Sequence, residues 1–232
     1  MIKTGITKLD KMLGGGLPES SNILIVGPPG MEKLWFCIKM LLNGVKENQR
    51  ALLITTDLAP DEIEKKGMEF GMDIFPLSQN NKLKFIDVYS WTLPAKKAGS
   101  RHNDIAVPGP SALNELSLAI SQALAEISNP GSKLRIIFFS LSSLLLYNNP
   151  EIIYRFLQIM GSRLKALNAL TLFLMDSGMH DEKIISTIKH LTDGTIELQK
   201  DGDKIMLRVP RMSGSKSFSE WKELKLQNGS II

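Results

Sequence analysis

The sequence holds a single cysteine, Cys37, so no internal disulfide can form and a reducing compartment is expected. Long apolar runs are also missing. Ile136–Phe139 and Ser143–Tyr147 fall far short of the ~20 residues a helix needs to cross a bilayer. No basic stretch leading into an apolar one opens the chain, so no signal peptide is expected, and the expected location is cytoplasmic without membrane contact. Charge of one sign is not in excess: 28 Lys and Arg against 24 Asp and Glu leave +4, spread along the chain as on a solvated surface. The densest basic group is Lys96, Lys97, Arg101 and His102, in a Pro/Gly-rich stretch. It reads as a surface loop or as a DNA contact, and the even spread of charge favours the loop. Internal repeats and low-complexity tracts are absent.

What is present is a chain of 232 residues, 43% hydrophobic and 22% charged, enough to build the core of one domain over 1–232. Apolar β-type runs alternate with helical periods. Strands are expected at Asn22–Val26, Ala51–Thr56, Leu83–Val88, Leu134–Phe139 and Leu170–Met175. Helices are expected from the turn after Val26 to about Val45, over Pro60–Phe70 with Gly71 as its stop, from Ser111 as N-cap to Ile127, and from Asn149-Pro150 to Leu167. Leu134–Phe139, apolar along nearly its whole length, suits a central parallel strand. A lead-in (1–21) precedes the first strand, and a long loop is expected over 90–110. Two runs flanking Asp201-Gly202-Asp203 read as a hairpin, with Glu220–Leu226 a further strand, so 195–226 is expected to be antiparallel. The fold class is α/β: a mostly parallel central sheet, helices on both faces, and a C-terminal antiparallel hairpin.

Strand, then Gly27-Pro28-Pro29-Gly30-Met31-Glu32-Lys33-Leu34, then helix is the setting of a phosphate-binding loop. The intact motif, G-x-x-x-x-G-K-[ST], cradles phosphate with backbone N–H groups, reaches the β/γ oxygens with its lysine and holds Mg²⁺ with its hydroxyl. Gly27, Gly30 and Lys33 stand in place, whereas Glu32 replaces a glycine and Leu34 the hydroxyl. A leucine cannot ligate a hard cation. A carboxylate beside the site repels an anion by roughly 1–4 kcal/mol at about 4 Å, and Glu32 is in a position to fold back on Lys33 and fill the anion hole. Two readings stay open: residual nucleotide binding, or a glycine-rich turn kept for packing.

Around this loop, Thr4-Gly5-Ile6, Leu9-Asp10, Leu13-Gly14-Gly15-Gly16-Leu17-Pro18, Ser140-Leu141-Ser142-Ser143-Leu144-Leu145 and Thr192-Asp193-Gly194 resemble KaiC-type and RadA-type domains of the RecA superfamily, over nearly the whole chain. The resemblance implies a RecA-like fold, ATP binding and ring assembly with active sites at subunit boundaries. It also exposes replacements. Asp57 matches the first of the family's two acids after the second strand, and Leu58 stands at the water-polarising second. Phe139 occupies the Walker-B aspartate position. Arg211 keeps the first cation of the Lys-x-Arg pair, and Ser213 stands at the arginine. Phosphoryl transfer depends on positioning and electrostatics, so these replacements imply no catalytic residue and no metal site.

The expected function is therefore a non-catalytic regulatory or scaffold subunit with a protein partner, either a paralogous ATPase or a second copy of itself. ATP or ADP would bind weakly or not at all, and Mg²⁺ would not be held. A nucleotide sensor, a slow ATPase and a recombinase-like DNA-repair accessory are the alternatives, with DNA the less favoured partner. Asp176, His180, Asp181 and Glu182 read as a solvated loop with a helix N-cap rather than a metal site. His102 and His190 read as isolated and exposed. Cys37 reads as a small buried hydrophobe, and Trp35 as core, with adenine stacking the alternative.

Overall fold

Apolar strands buried on both faces require a layer of helices above and below them, and this chain supplies both. The computed structural model describes residues 1–92, 104–128, 131, 133–202, 204–224, 226–227 and 230–231. The strands are β1 (Asn22–Gly27), β2 (Arg50–Thr55), β3 (Leu83–Asp87), β4 (Ile105–Ala106), β5 (Leu134–Phe139), β6 (Ala169–Asp176), β7 (Gly194–Asp201), β8 (Lys204–Met212) and β9 (Phe218–Leu224). They form one sheet in the order β4-β3-β2-β5-β6-β1-β7-β8-β9. β4 through β7 are parallel, whereas β8 and β9 run antiparallel. Two-residue segments at Leu226–Gln227 and Ser230–Ile231 pair separately.

Side chains alternate between the faces of each strand, which splits the core in two. Ile23, Ile25, Ile137 and Phe139 pack with Leu34, Phe36, Ile38 and Leu41 of α2 (Met31–Lys46), Leu9 of α1 (Thr7–Met12) and Ile63 of α3 (Pro60–Glu69). Leu24, Ile136 and Phe138 face the other way. They meet Ile120 of α5 (Leu113–Ile127), Leu144 of α6 (Leu141–Tyr147), Leu157 of α7 (Pro150–Ala166) and Ile185 of α8 (Glu182–Leu191). A short α4 (Phe75–Gln79) leads into β3. No described helix is long and apolar enough to cross a membrane.

Local signals place several boundaries where the sequence sets them. Pro60 opens α3 and Gly71, at φ +70°, follows its end. The Asn149 side chain accepts the Glu151 N–H at 2.8 Å and caps α7. The expected Ser111 cap is a correction: α5 begins at Leu113 with Ala112 as N-cap, because the Ser111 carbonyl instead closes a turn onto the Leu113 N–H at 3.0 Å. Of the expected loop over 90–110, residues 93–103 lie outside the described residues, and the described remainder includes regular structure. Ser90–Thr92 forms a 3₁₀ turn, Ile105–Ala106 pairs parallel with β3, and the following Val107 is buried. Lys96, Lys97, Arg101 and His102 lie outside the described residues. The apolar run Ser143–Tyr147 belongs to helix α6.

A charged side chain sits fully inside the core. Arg135, on β5, donates to Gln49 Oε1 at 3.0 Å, to the Lys3 carbonyl at 3.3 Å and to the Met40 carbonyl. Burial lowers its guanidinium to about 10, against the pull of Glu47 and Asp10. It ties the lead-in to α2, and α2 makes room for it with Gly44. A Cβ there would stand 2.6 Å from Arg135 Nε. Gly44→Ala is expected to destabilise the fold by about 1–3 kcal/mol in urea denaturation, as overpacking does.

Across the antiparallel end, Glu197 of β7 accepts from Lys189 at 2.8 Å and from Arg208 at 2.6 Å, and the Arg208 guanidinium lies 4.5 Å from the Trp221 ring centre. Burial pushes the Glu197 carboxyl up, but the hydrogen bonds and charges of Lys189 and Arg208 outweigh it and hold the group below its ordinary 4.5. A carboxylate depressed on folding contributes stability that is present above its unfolded pKa and is lost as pH falls through the folded value. Thermal melting below pH 4.5 should therefore steepen its decline through Glu197, and Glu197→Gln should flatten that limb.

Candidate functional site

In parallel α/β sheets ligands gather outside the carboxyl ends of the strands, and the phosphate loop lies there, between β1 and α2. Gly30 is the N-cap of α2 at φ 156°, so the first N–H groups of a 16-residue helix open onto the loop. Lys33 is buried. Its Nζ donates to Asp176 Oδ1 at 2.6 Å, to the Gly27 carbonyl at 3.2 Å and to the Pro28 carbonyl. The two ionic side chains are 3% and 14% exposed, so the pair is screened little by water.

Glu32 does not pair with Lys33, which corrects the expectation of a fold-back onto that lysine. Lys200, on the β7–β8 hairpin, takes it at 3.1 Å, since Lys33 is already bound to Asp176. The Glu32 carboxylate nonetheless lies against Gly30, where a Cβ would collide with its Oε2. Burial raises the Glu32 carboxyl, but the N–H of its own backbone together with Lys200 and Lys33 brings it below its ordinary value. The loop thus carries one carboxylate of its own at the mouth of the helix and a second on its lysine.

Leu34 and Phe139 are buried among the apolar side chains between α2 and the sheet, and neither offers an oxygen to a cation. Leu58 packs against the same cluster, partly buried. Both Asp57 oxygens meet hydroxyls: Oδ2 accepts from Ser140 Oγ at 2.8 Å and Oδ1 from Ser143 Oγ, while Thr56 Oγ1 has its one proton to share between Oδ1 at 2.7 Å and the Ser140 carbonyl at 2.9 Å. Ser142 Oγ accepts the Asp176 N–H at 2.8 Å, so the start of α6 touches both acids. Pro28, Glu32, Lys33 and Lys200 thereby line one hollow, with Asp176 reached through Lys33, while Asp57 sits apart with the serines. Arg211 reaches neither group; it donates to the carbonyls of Thr192 and, at 3.3 Å, of Lys189 at the end of α8, and Ser213 is exposed beyond it. Pro29 is exposed on the loop.

The acidic group after β6 forms no metal cluster: among the described residues no three His, Cys, Asp or Glu side chains converge. Asp181 occupies the N-cap position of α8 without a side-chain cap bond. Burial lowers the His180 imidazole, against Asp176 and Asp181. His190 is exposed as expected. Cys37 is fully buried, and burial pushes its thiol up. Trp35 belongs to the core and is 3% exposed, which leaves no face for a base.

Residues 2–227 match the family model described as ATPase: KaiC. The chain belongs to the KaiC ATPase family. Its RecA-like architecture agrees, with a mostly parallel sheet closed by the β7–β8–β9 antiparallel end. A UPF0273 protein of Methanocaldococcus jannaschii is 27% identical, with 100% of this chain and 95% of that protein aligned. A UPF0273 protein of Aeropyrum pernix is 23% identical over 100% of this chain and 92% of its own length. The circadian clock oscillator protein KaiC of a Nostoc species is 32% identical over 88 residues, which are 38% of this chain and 17% of that protein.

Sequence reasoning finds the loop of this KaiC-family chain but not the partners of its lysine and its extra acid. Asp176 stands 143 positions from Lys33, and only the β1–β6 pairing, Gly27 opposite Asp176, brings them together. That pairing generates a measurable coupling. Asp176→Asn should destabilise the chain by about 3–5 kcal/mol in denaturant unfolding, because it strands a buried ammonium. Lys33→Met in the same background should recover a large part of that loss.

Proposed function

We propose that this KaiC-family protein is a non-catalytic regulatory or scaffold subunit that works by binding a protein partner, either a paralogous ATPase or a second copy of itself. The observation that carries the reading is the internal neutralisation of the phosphate loop. A nucleotide phosphate must displace Asp176 from Lys33 and face Glu32 at the mouth of α2. Both carboxylates oppose an incoming anion, and the lysine that would repay it is already paired.

Hydrolysis is opposed separately. Leu34 and Phe139 supply no oxygen for Mg²⁺, and Leu58 no base. Asp57 carries hydroxyl partners on both oxygens, so metal ligation there would cost those hydrogen bonds. Arg211, engaged on α8, would have to leave two carbonyls to act on a neighbouring subunit's phosphates. A nucleotide-sensor reading keeps one support, the cradle geometry of Gly30 and α2, and it requires the Lys33–Asp176 pair to open.

Calorimetric titration of ATP and ADP, with and without Mg²⁺, separates these readings. The wild-type chain should bind neither more tightly than millimolar, and it should release no phosphate above a Lys33→Ala control. Glu32→Gly combined with Asp176→Asn should strengthen nucleotide binding by at least about tenfold, equivalent to about 1.4 kcal/mol. Mg²⁺-dependent turnover by the wild-type chain would overturn the proposal.

A further inference from the structure

The outer side of one helix layer carries an apolar strip that the core does not use. Helices α5 and α7 each return from the carboxyl to the amino end of the parallel strands, so they run side by side in the same direction. Arg163 of α7 donates to Ser121 Oγ of α5 at 2.7 Å, which fixes their relative height. One turn back from each, Leu118 stands beside Ile159. These two are the most exposed large apolar side chains among the described residues, at 70% each. Ile152, 53% exposed, and the partly buried Phe156 continue the strip along α7 at helical spacing. Tyr147 stands exposed just before that helix.

Exposed apolar residues scattered singly are ordinary, whereas a contiguous strip marks an interaction surface. The charges beside it say what covers it. Helix α5 carries two acids, Glu115 and Glu126, and no base, whereas α7 carries Arg155, Arg163 and Lys165 against Glu151 alone. A face made of one acidic and one basic helix is complementary to itself when a two-fold axis runs along the groove between them. Rotation about that axis lays α5 of each copy on α7 of the other at unchanged height, so Leu118 meets Ile159 of the second copy. Glu115 stands about 120° round α5 from Ser121, on the flank away from α7. Arg155 lies on the opposite flank of the pair, where it lines the groove toward α8 with Lys183. The rotation brings these two flanks together, with Glu115 and Arg155 about 3 Å apart in height. Helices of 15 and 17 residues give a face about 25 Å long and about 20 Å wide. With side-chain relief counted, that is comparable with the roughly 800 Å² per partner of a standard interface.

We propose that two copies of the chain pair face to face through α5 and α7 about a two-fold axis, with Leu118 packed on Ile159 and Glu115 paired to Arg155 of the second copy. The proposal rests on the partner-binding reading above and narrows it to a second copy on a stated surface. A two-fold interface uses up the face from which it is built, so this assembly stops at a dimer.

Sedimentation equilibrium of the full chain, from ~1 to ~100 μM, should show a monomer–dimer equilibrium. Glu115→Arg or Arg155→Glu alone sets like charges against each other on both sides of the axis and should weaken pairing by about tenfold or more. An equimolar mixture of the Glu115→Arg chain with the Arg155→Glu chain should pair within about threefold of the wild type, because each altered charge then faces an opposite one. Leu118→Glu should leave the chain monomeric at ~100 μM. Far-UV circular dichroism equal to that of the wild type shows that each exposed substitution leaves the fold intact, and if Leu118→Glu does not fold, the mixture decides. A monomer at every concentration, a ring or other higher oligomer, pairing unaltered by the substitutions, or no recovery in the mixture would overturn the proposal. Each of those results leaves the partner-binding reading standing with another partner or another surface. Mg²⁺-dependent turnover by a chain that pairs as described would overturn the non-catalytic reading alone.

Discussion

A buried ammonium at the mouth of a helix has to be neutralised, and in this chain Asp176 does it. The Lys33–Asp176 pair joins the phosphate loop to the end of β6, and the Asp176 N–H in turn rests on Ser142 at the start of α6. From there the contacts continue sideways, as the Ser140 and Ser143 hydroxyls bond to Asp57 beyond β2. The carboxyl edge of the sheet, where an α/β protein ordinarily keeps groups in reserve for a ligand, is thereby laced together by its own side chains. Glu32 and Lys200 extend the same pattern to the antiparallel hairpin. Electrostatic complementarity that a phosphate could provide is met within the chain.

Much of the architecture was legible in the alternation of apolar runs and helical periods. Strand β5 announces its central place by a run with one charge in it, and α3 and α7 announce their starts by Pro60 and Asn149. Helix α6 was not legible, because seven residues beginning Leu-Ser-Ser carry too little periodicity to separate a short helix from a buried strand. Arg135 is the clearest silence. One arginine in a strand pattern normally marks a solvent-facing position, yet this one is fully buried against carbonyls contributed by the lead-in and α2.

The site was half legible for a related reason. A phosphate loop is written in consecutive residues, so Gly27 to Leu34 can be found by inspection. The groups that decide its charge come from β6 and from the β7–β8 hairpin, and no local pattern links Asp176 or Lys200 to it. Sheet order supplies that link, since β6 and β7 flank β1.

The two margins of the sheet differ in how they meet the outside. On one side the described part of β4 is two residues long, and on the other β9 sets Glu220, Lys222 and Glu223 along its length, with the Lys222 ammonium over Phe218 and Lys204 of β8 paired to Glu223. Short or charged margins discourage an arriving backbone from continuing the ladder of hydrogen bonds. These described margins do not favour growth by added strands, so the partner binding proposed above would fall to the helices, the loops and the side chains they present.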